Sequence, residues 1–143
     1  MKIPFTKAHG ARNDFLLSWA NEVPAVDFRK AAEAICHRHT GVGADGWMLV
    51  TPGTGGDHGG IRLYNSDGSD SEISGNGTRC AAAFLLANGL DASAIRISTG
   101  AGTKHLRLLD RKGLLFQFEM NMGAPSYDPA QLRFPLSLDG VTL

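Results

Sequence analysis

The chain has 143 residues, 43% of them hydrophobic, and its fourteen basic and fourteen acidic side chains cancel to zero net charge. That length can bury one ordinary core but leaves little room for a second complete domain, and the charge balance offers no basic stripe for nucleic acid. No apolar run reaches the roughly 18 residues of a membrane span, the N-terminus lacks the apolar stretch of a signal peptide, and two cysteines make no disulfide framework, so a cytoplasmic protein is expected.

Residues 3–7 read as a short opening strand. A turn-like polar loop follows, Ala8-His9-Gly10-Ala11-Arg12-Asn13-Asp14, and then an apolar strand over 15–19. In that loop the side chains of Asn13 and Asp14 are placed to close the turn on their own backbone. Residues 27–39 have helical periodicity, with Phe28, Ala31, Ala32 and Ile35 on one side and Arg29, Lys30 and Glu33 on the other. Asp27 is the expected cap. Cys36, His37 and His39 lie close together, yet their spacing is not that of a structural zinc site and no second ligand pair appears. A helix end favoured by histidine near its negative pole is the simpler reading, and no metal is expected. A glycine-rich loop, Thr40-Gly41-Val42-Gly43-Ala44-Asp45-Gly46, then runs into a strand over 47–51. Residues 52–60 read as a mobile surface turn in which His58 is solvated.

The stretch that organises the rest begins where a strand over 61–65 delivers Asn65 into a polar loop. Ser74-Gly75-Asn76-Gly77 closes that loop and leads directly into residues 78–87, where Arg79 is the only charge. Alanine and leucine favour a helix there, and Gly89 is a plausible stop. A helix apolar on nearly every side is a buried helix. Its first N–H groups lack intrahelical partners and carry partial positive charge, and Gly75 and Gly77 let a ligand approach the backbone. A carboxylate or phosphate is a natural guest, although a tight turn capped by Ser74 fits the same residues.

Beyond the helix, residues 95–99 alternate like a half-exposed strand, and 104–110 with 114–121 form a hairpin around Arg111-Lys112-Gly113. Three prolines interrupt residues 125–135, and 136–143 look like the start of a further element. The order predicts an α+β fold, a mostly antiparallel or mixed sheet wrapped around one central buried helix. It divides into a domain over 1–125, then a linker and the start of a second domain over 126–143.

Four stretches carry a resemblance. His9-Gly10-Ala11-Arg12-Asn13-Asp14-Phe15, His39-Thr40-Gly41-Val42-Gly43-Ala44-Asp45-Gly46, Tyr64-Asn65-Ser66-Asp67-Gly68-Ser69 and Ser74-Gly75-Asn76-Gly77-Thr78-Arg79-Cys80 occur in that order. Together, over residues 9 to about 125, they closely resemble the first half of the diaminopimelate epimerase family. The resemblance implies a cofactor-independent, two-base isomerase of lysine and cell-wall precursor biosynthesis, interconverting LL- and meso-2,6-diaminopimelate. It implies two similar halves, each a sheet around a central helix, with substrate in the cleft between them. Asn13 and Asn65 resemble the asparagines that hold the reacting amino-acid head. Gly75 and Asn76 resemble the backbone donors that bind its α-carboxylate.

Position 74 resembles the place of one of the family's two catalytic cysteines, but here it is Ser74. A thiol near a helix N-terminus can supply a thiolate; a serine hydroxyl is far less acidic, and no histidine is placed in sequence to activate it. Cys80 matches a non-catalytic cysteine of the family. The opposed cysteine, further asparagines and a Glu-Arg pair belong to the family's other half, so the isolated chain is expected to be inactive and to self-associate. Its expected partner is a small-molecule amino acid, with neither nucleic acid nor membrane. Two alternatives stand beside this reading: a related cofactor-independent amino-acid racemase or isomerase, and a non-catalytic amino-acid-binding or dimerising module, which Ser74 favours.

Overall fold

The computed structural model describes residues 2–125, 127 and 128, and the backbone of Ser137–Leu138 and Val141–Thr142. Strands β1 (Thr6–Gly10), β2 (Asn13–Trp19), β3 (Gly46–Pro52), β4 (Gly59–Asn65), β5 (Asp70–Ser71), β6 (Ala94–Thr99), β7 (Gly102–Lys112) and β8 (Leu115–Met120) form one mixed sheet. Its order is β1-β2-β3-β4-β6-β7-β8, with β5 paired to β4. The pairs β2–β3 and β4–β6 are parallel, and the others are antiparallel. A 3-10 turn (Ala20–Glu22) and helix α1 (Phe28–Cys36) connect the first parallel pair; helix α2 (Gly75–Ala87) lies in the connection of the second. Two further short strands, β9 (Ser137–Leu138) and β10 (Val141–Thr142), pair antiparallel. The α+β class and the mixed sheet are as expected; the boundary proposed near residue 125 and most of 126–143 lie outside the described residues.

Burial explains the sheet's two characters. In β2 and β3, successive residues are buried whichever way they point, because both faces are covered. Leu16, Trp47, Leu49 and Tyr64 pack with Ala32 and Cys36 of α1. Phe15, Leu17, Met48, Val50 and Leu63 pack with Ala81, Phe84 and Leu85 of α2. Strand β6 instead alternates strictly, with Ile95, Ile97 and Thr99 in and their neighbours out. Helix α2 meets β1 at one end of the strand order and β8 at the other. Its Phe84 ring lies 5.0 Å from that of Trp19, and burying each such side chain contributes about 1.5–3 kcal/mol. Gly89 at φ +102° ends α2 and lets Leu90 N–H return to the Leu85 carbonyl at 3.0 Å.

Three local expectations need correction. The opening strand is β1, three residues later than read, and the supposed loop over 8–14 is largely the β1–β2 hairpin. Its two turn residues, Ala11 and Arg12, both have positive φ, at 52° and 68°, the geometry that continues the strands' twist. His58 is also not a solvated loop residue: its N–H donates to the Arg96 carbonyl at 2.8 Å, and its Nδ1 accepts from Arg96 N–H at 3.0 Å. The turn between β3 and β4 is thereby stitched to β6.

No helix among the described residues is long and apolar enough to cross a membrane.

Candidate active-site wall

Sheet register gathers the motifs. Phe15 pairs with Gly46, and Gly46 with Asn65, so the starts of β2 and β3 and the end of β4 lie in one row. Asn13 opens β2, Asp45 immediately precedes β3, and Asn65 closes β4. The mouth of α2 meets this row, for Asn76 Nδ2 donates to Asn13 Oδ1 at 3.2 Å.

Ser74 is the N-cap of α2, with extended backbone (φ −139°, ψ 120°) and its Oγ accepting Gly77 N–H at 3.0 Å. Its carbonyl accepts both the N–H and the hydroxyl of buried Thr78, at 2.7 and 2.8 Å. The helix therefore starts two residues before Gly77, and Gly75 and Asn76 form its first turn. Among the described residues neither the Gly75 nor the Asn76 N–H has an acceptor. Two donors at the positive end of α2 remain available to an anion. The Asn76 side chain is held at both ends, its Nδ2 donating one N–H to Asn13 and its Oδ1 accepting from Arg79.

Asn65 is not bonded directly to Asn13 or Asn76. Its own turn holds it: Nδ2 donates to Ser69 Oγ at 2.9 Å, and Ser69 Oγ donates to Asp67 Oδ1 at 2.6 Å. Those bonds from Ser69 hold the Asp67 carboxyl below the usual carboxylate range. Gly68 is required here, because its φ is +78° and a Cβ would stand 2.9 Å from the Arg29 carbonyl. The arrangement leaves Asn65 Oδ1 as an acceptor without a partner among the described residues.

Residues with no expected part in the site complete the wall, and among them Asp14 turns its side chain to Arg38 and Asp45, as Asn13 does to Asp45, rather than to its own turn. Asp14 and Asp45 share Arg38, whose Nη2 lies 2.7 and 2.8 Å from their oxygens, and Lys7 stands 3.2 Å from Asp14. The Arg38 hydrogen bonds hold the Asp14 carboxyl well below the usual carboxylate range, against the opposing effect of burial. Asp14 and Asp45 sit inside the quoted motifs, so the signal was present, but nothing in one sequence pairs residues 31 positions apart.

No thiol belongs to the wall. Cys36 and Cys80 are both buried, and burial pushes each up to about 11. His37 works locally, its Nδ1 accepting from Thr40 N–H at 3.1 Å and lying 2.8 Å from Thr40 Oγ1. A cleft of about 520 Å³ between β1, α2 and β8 and a hollow of about 540 Å³ over β3, β4 and β6 are lined by other residues than Ser74, Asn13 and Asn65.

The sequence pattern of one family, described as diaminopimelate epimerase, matches residues 5–127. A diaminopimelate epimerase of Halothermothrix orenii is 36% identical over 134 residues, 92% of this chain and 47% of that protein. That of Alkaliphilus metalliredigens is 36% identical over 143 residues, 99% of this chain and 50% of its own length. A Nostoc protein described as diaminopimelate epimerase 1 is 51% identical over a shorter stretch of 87 residues, 59% of this chain and 31% of its own length. The chain thus spans about half the length of the curated relatives it matches. Among solved structures, a methylitaconate-delta-isomerase superposes with a TM-score of 0.68 at 13% identity, covering 99% of this chain and 39% of its own. A phenazine biosynthesis protein of the PhzF family from Bacillus anthracis gives 0.61 at 16% identity, covering 84% and 40%. At such identities the likeness is one of fold, a curled mixed sheet with few helices.

Proposed function

The chain belongs to the diaminopimelate epimerase family, and on that premise we propose that it is one wall of a cofactor-independent amino-acid epimerase site. The reaction is the interconversion of LL- and meso-2,6-diaminopimelate by two-base proton transfer across a cleft whose other wall lies outside these 143 residues. The observation that carries the reading is the α2 mouth, with the free Gly75 and Asn76 N–H groups beside the Asn13–Asn76 pair.

The donors and acceptors suit a zwitterionic head. The two backbone N–H groups take the α-carboxylate. Asn65 Oδ1, its amide nitrogen already committed to Ser69, accepts from the ammonium. Asn13 has given one N–H to Asp45 and its oxygen to Asn76, and keeps a second N–H for the ligand. A carboxylate fixed at the mouth places the substrate Cα near position 74, where a base must stand.

Ser74 is the weak member. Its Oγ is occupied as a helix cap, and a hydroxyl does not ionise in the range where a thiol does. The buried thiols of Cys36 and Cys80 offer no substitute. The 143-residue chain therefore holds neither base, and that observation favours a second reading: a binding module that kept the carboxylate site without the chemistry. The full reading also takes α2 as the central helix of a first half-domain over 1–125, with 126–143 leading toward the second, in a cytoplasmic enzyme. Self-association of the isolated chain is supported by Leu114 and Leu115, 82% and 71% exposed at the β7–β8 tip.

Exchange of the LL-diaminopimelate α-proton in deuterated water tests the proposal. The 143-residue chain should show no turnover to the meso form. In a protein that also carries the second half, Ser74→Cys should raise turnover by on the order of 10²–10⁴-fold, the usual worth of a positioned base. Affinity should change little. A rate left unchanged by Ser74→Cys would remove position 74 from the chemistry.

A further inference from the structure

Asn13 follows a two-residue turn and is only half-buried, so its own strand does not decide where its amide points. Two partners fix it: Asn76, whose Nδ2 donates to the Asn13 oxygen at 3.2 Å, and Asp45, whose carboxylate takes the amide nitrogen. One carboxylate oxygen, Oδ2, accepts from Asn13 Nδ2 at 2.7 Å and from the Asp14 backbone N–H at 3.1 Å. The other, Oδ1, accepts from Arg38 Nη2 at 2.8 Å. Meanwhile the Asp45 carbonyl accepts Ser66 N–H at 3.0 Å, one residue beyond Asn65. A single residue thus ties the strand that Asn13 opens to the loop that Asn65 begins.

The chemistry calls for a carboxylate here. Three donors converge on its two oxygens, and an ionised carboxylate is an acceptor at every lone pair, whereas an amide would turn a donor toward either Arg38 or Asn13. The charge is also balanced locally, two acids (Asp14, Asp45) against two bases (Lys7, Arg38). The clamp therefore adds no net negative charge beside a site meant for an anion.

We propose that Asp45 is a positioning residue, holding Asn13 so that its second N–H faces the ligand, with Arg38 fixing the Asp45 carboxylate in turn. Its consequence for affinity rests on the reading of Asn13 as a ligand-binding residue; its geometry does not.

The test is NMR on the 143-residue chain, comparing Asp45→Asn, Asp45→Glu, Asn13→Ala and the Asn13→Ala/Asp45→Asn pair. The Asp45 side chain is 43% exposed, so the two Asp45 substitutions are surface changes. With Asp45 present, the Asn13 side-chain amide should exchange slowly with solvent; Asp45→Asn should accelerate that exchange about tenfold, the usual worth of a charge-assisted hydrogen bond. Asp45→Glu, which keeps the acceptor, should recover most of the protection. Titrated with LL-diaminopimelate, Asp45→Asn should bind about tenfold more weakly, and should add nothing in the Asn13→Ala background. An Asn13 amide indifferent to Asp45→Asn would overturn the proposal, as would an equal loss of affinity in the Asn13→Ala background. If the unsubstituted chain fails to bind LL-diaminopimelate, the substrate reading falls, and the exchange of the Asn13 amide still decides the role of Asp45.

Discussion

The two helices begin in opposite ways. Asp27 caps α1, and its carboxylate accepts from both Arg29 N–H at 3.1 Å and Lys30 N–H at 3.3 Å. The positive end of α1 thereby receives a negative charge from its own chain. Ser74 caps α2 with a neutral hydroxyl that accepts only Gly77 N–H, and the Gly75 and Asn76 donors remain open. Both caps stabilise a helix start. Only the second leaves the dipole uncompensated, at the end where Asn13 and Asn76 meet. A helix N-terminus becomes a binding site here through what its cap omits.

That contrast is open to direct attack. The largest effect is expected from Ser74→Asp, which gives α2 the cap of α1. A carboxylate at position 74 caps a helix about as well as serine, so the melting temperature should hold or rise slightly. Binding of LL-diaminopimelate should weaken by more than about tenfold, because like charges would meet at the mouth. Calorimetry on the same sample gives both numbers. Unchanged affinity would mean that the carboxylate does not sit there.

Smaller effects should come from stripping each cap. Asp27→Ala and Ser74→Ala should each cost about 1 kcal/mol of stability in urea. Asp27→Ala should leave affinity unchanged. Ser74→Ala frees the Gly77 N–H as a third donor, so affinity should hold or improve. A matching loss of affinity in both variants would make the mouth an ordinary helix end.

The same contrast marks what the sequence made legible. Asp27 and Ser74 were readable as caps, because capping is local and each acts within three residues of itself. Helix α2 was readable from its apolar run, although the glycines at its start hid that Gly75 and Asn76 are already helical. The β1–β2 hairpin is not legible, because Ala11 and Arg12 occupy positive-φ positions where a turn normally announces itself with Asn or Gly. His58 is illegible for a different reason: its partner, Arg96, arrives 38 residues later. The candidate site divides along the same line. Asn13, Asn65, Ser74, Gly75 and Asn76 stood out through motif resemblance. The Asp14–Arg38–Asp45 cluster did not, since only the pairing of β2 with β3 and the return of the chain beyond α1 bring it together.

The most direct test of the central claim is a titration of the ¹⁵N-labelled 143-residue chain with LL-diaminopimelate, following the backbone amides of Gly75, Asn76, Arg29 and Lys30. An open mouth at α2 and a closed one at α1 predict large, saturable downfield shifts for Gly75 and Asn76 with the same dissociation constant, and none for Arg29 and Lys30. Shifts that miss Gly75 and Asn76, or that appear equally at the start of α1, would contradict the account.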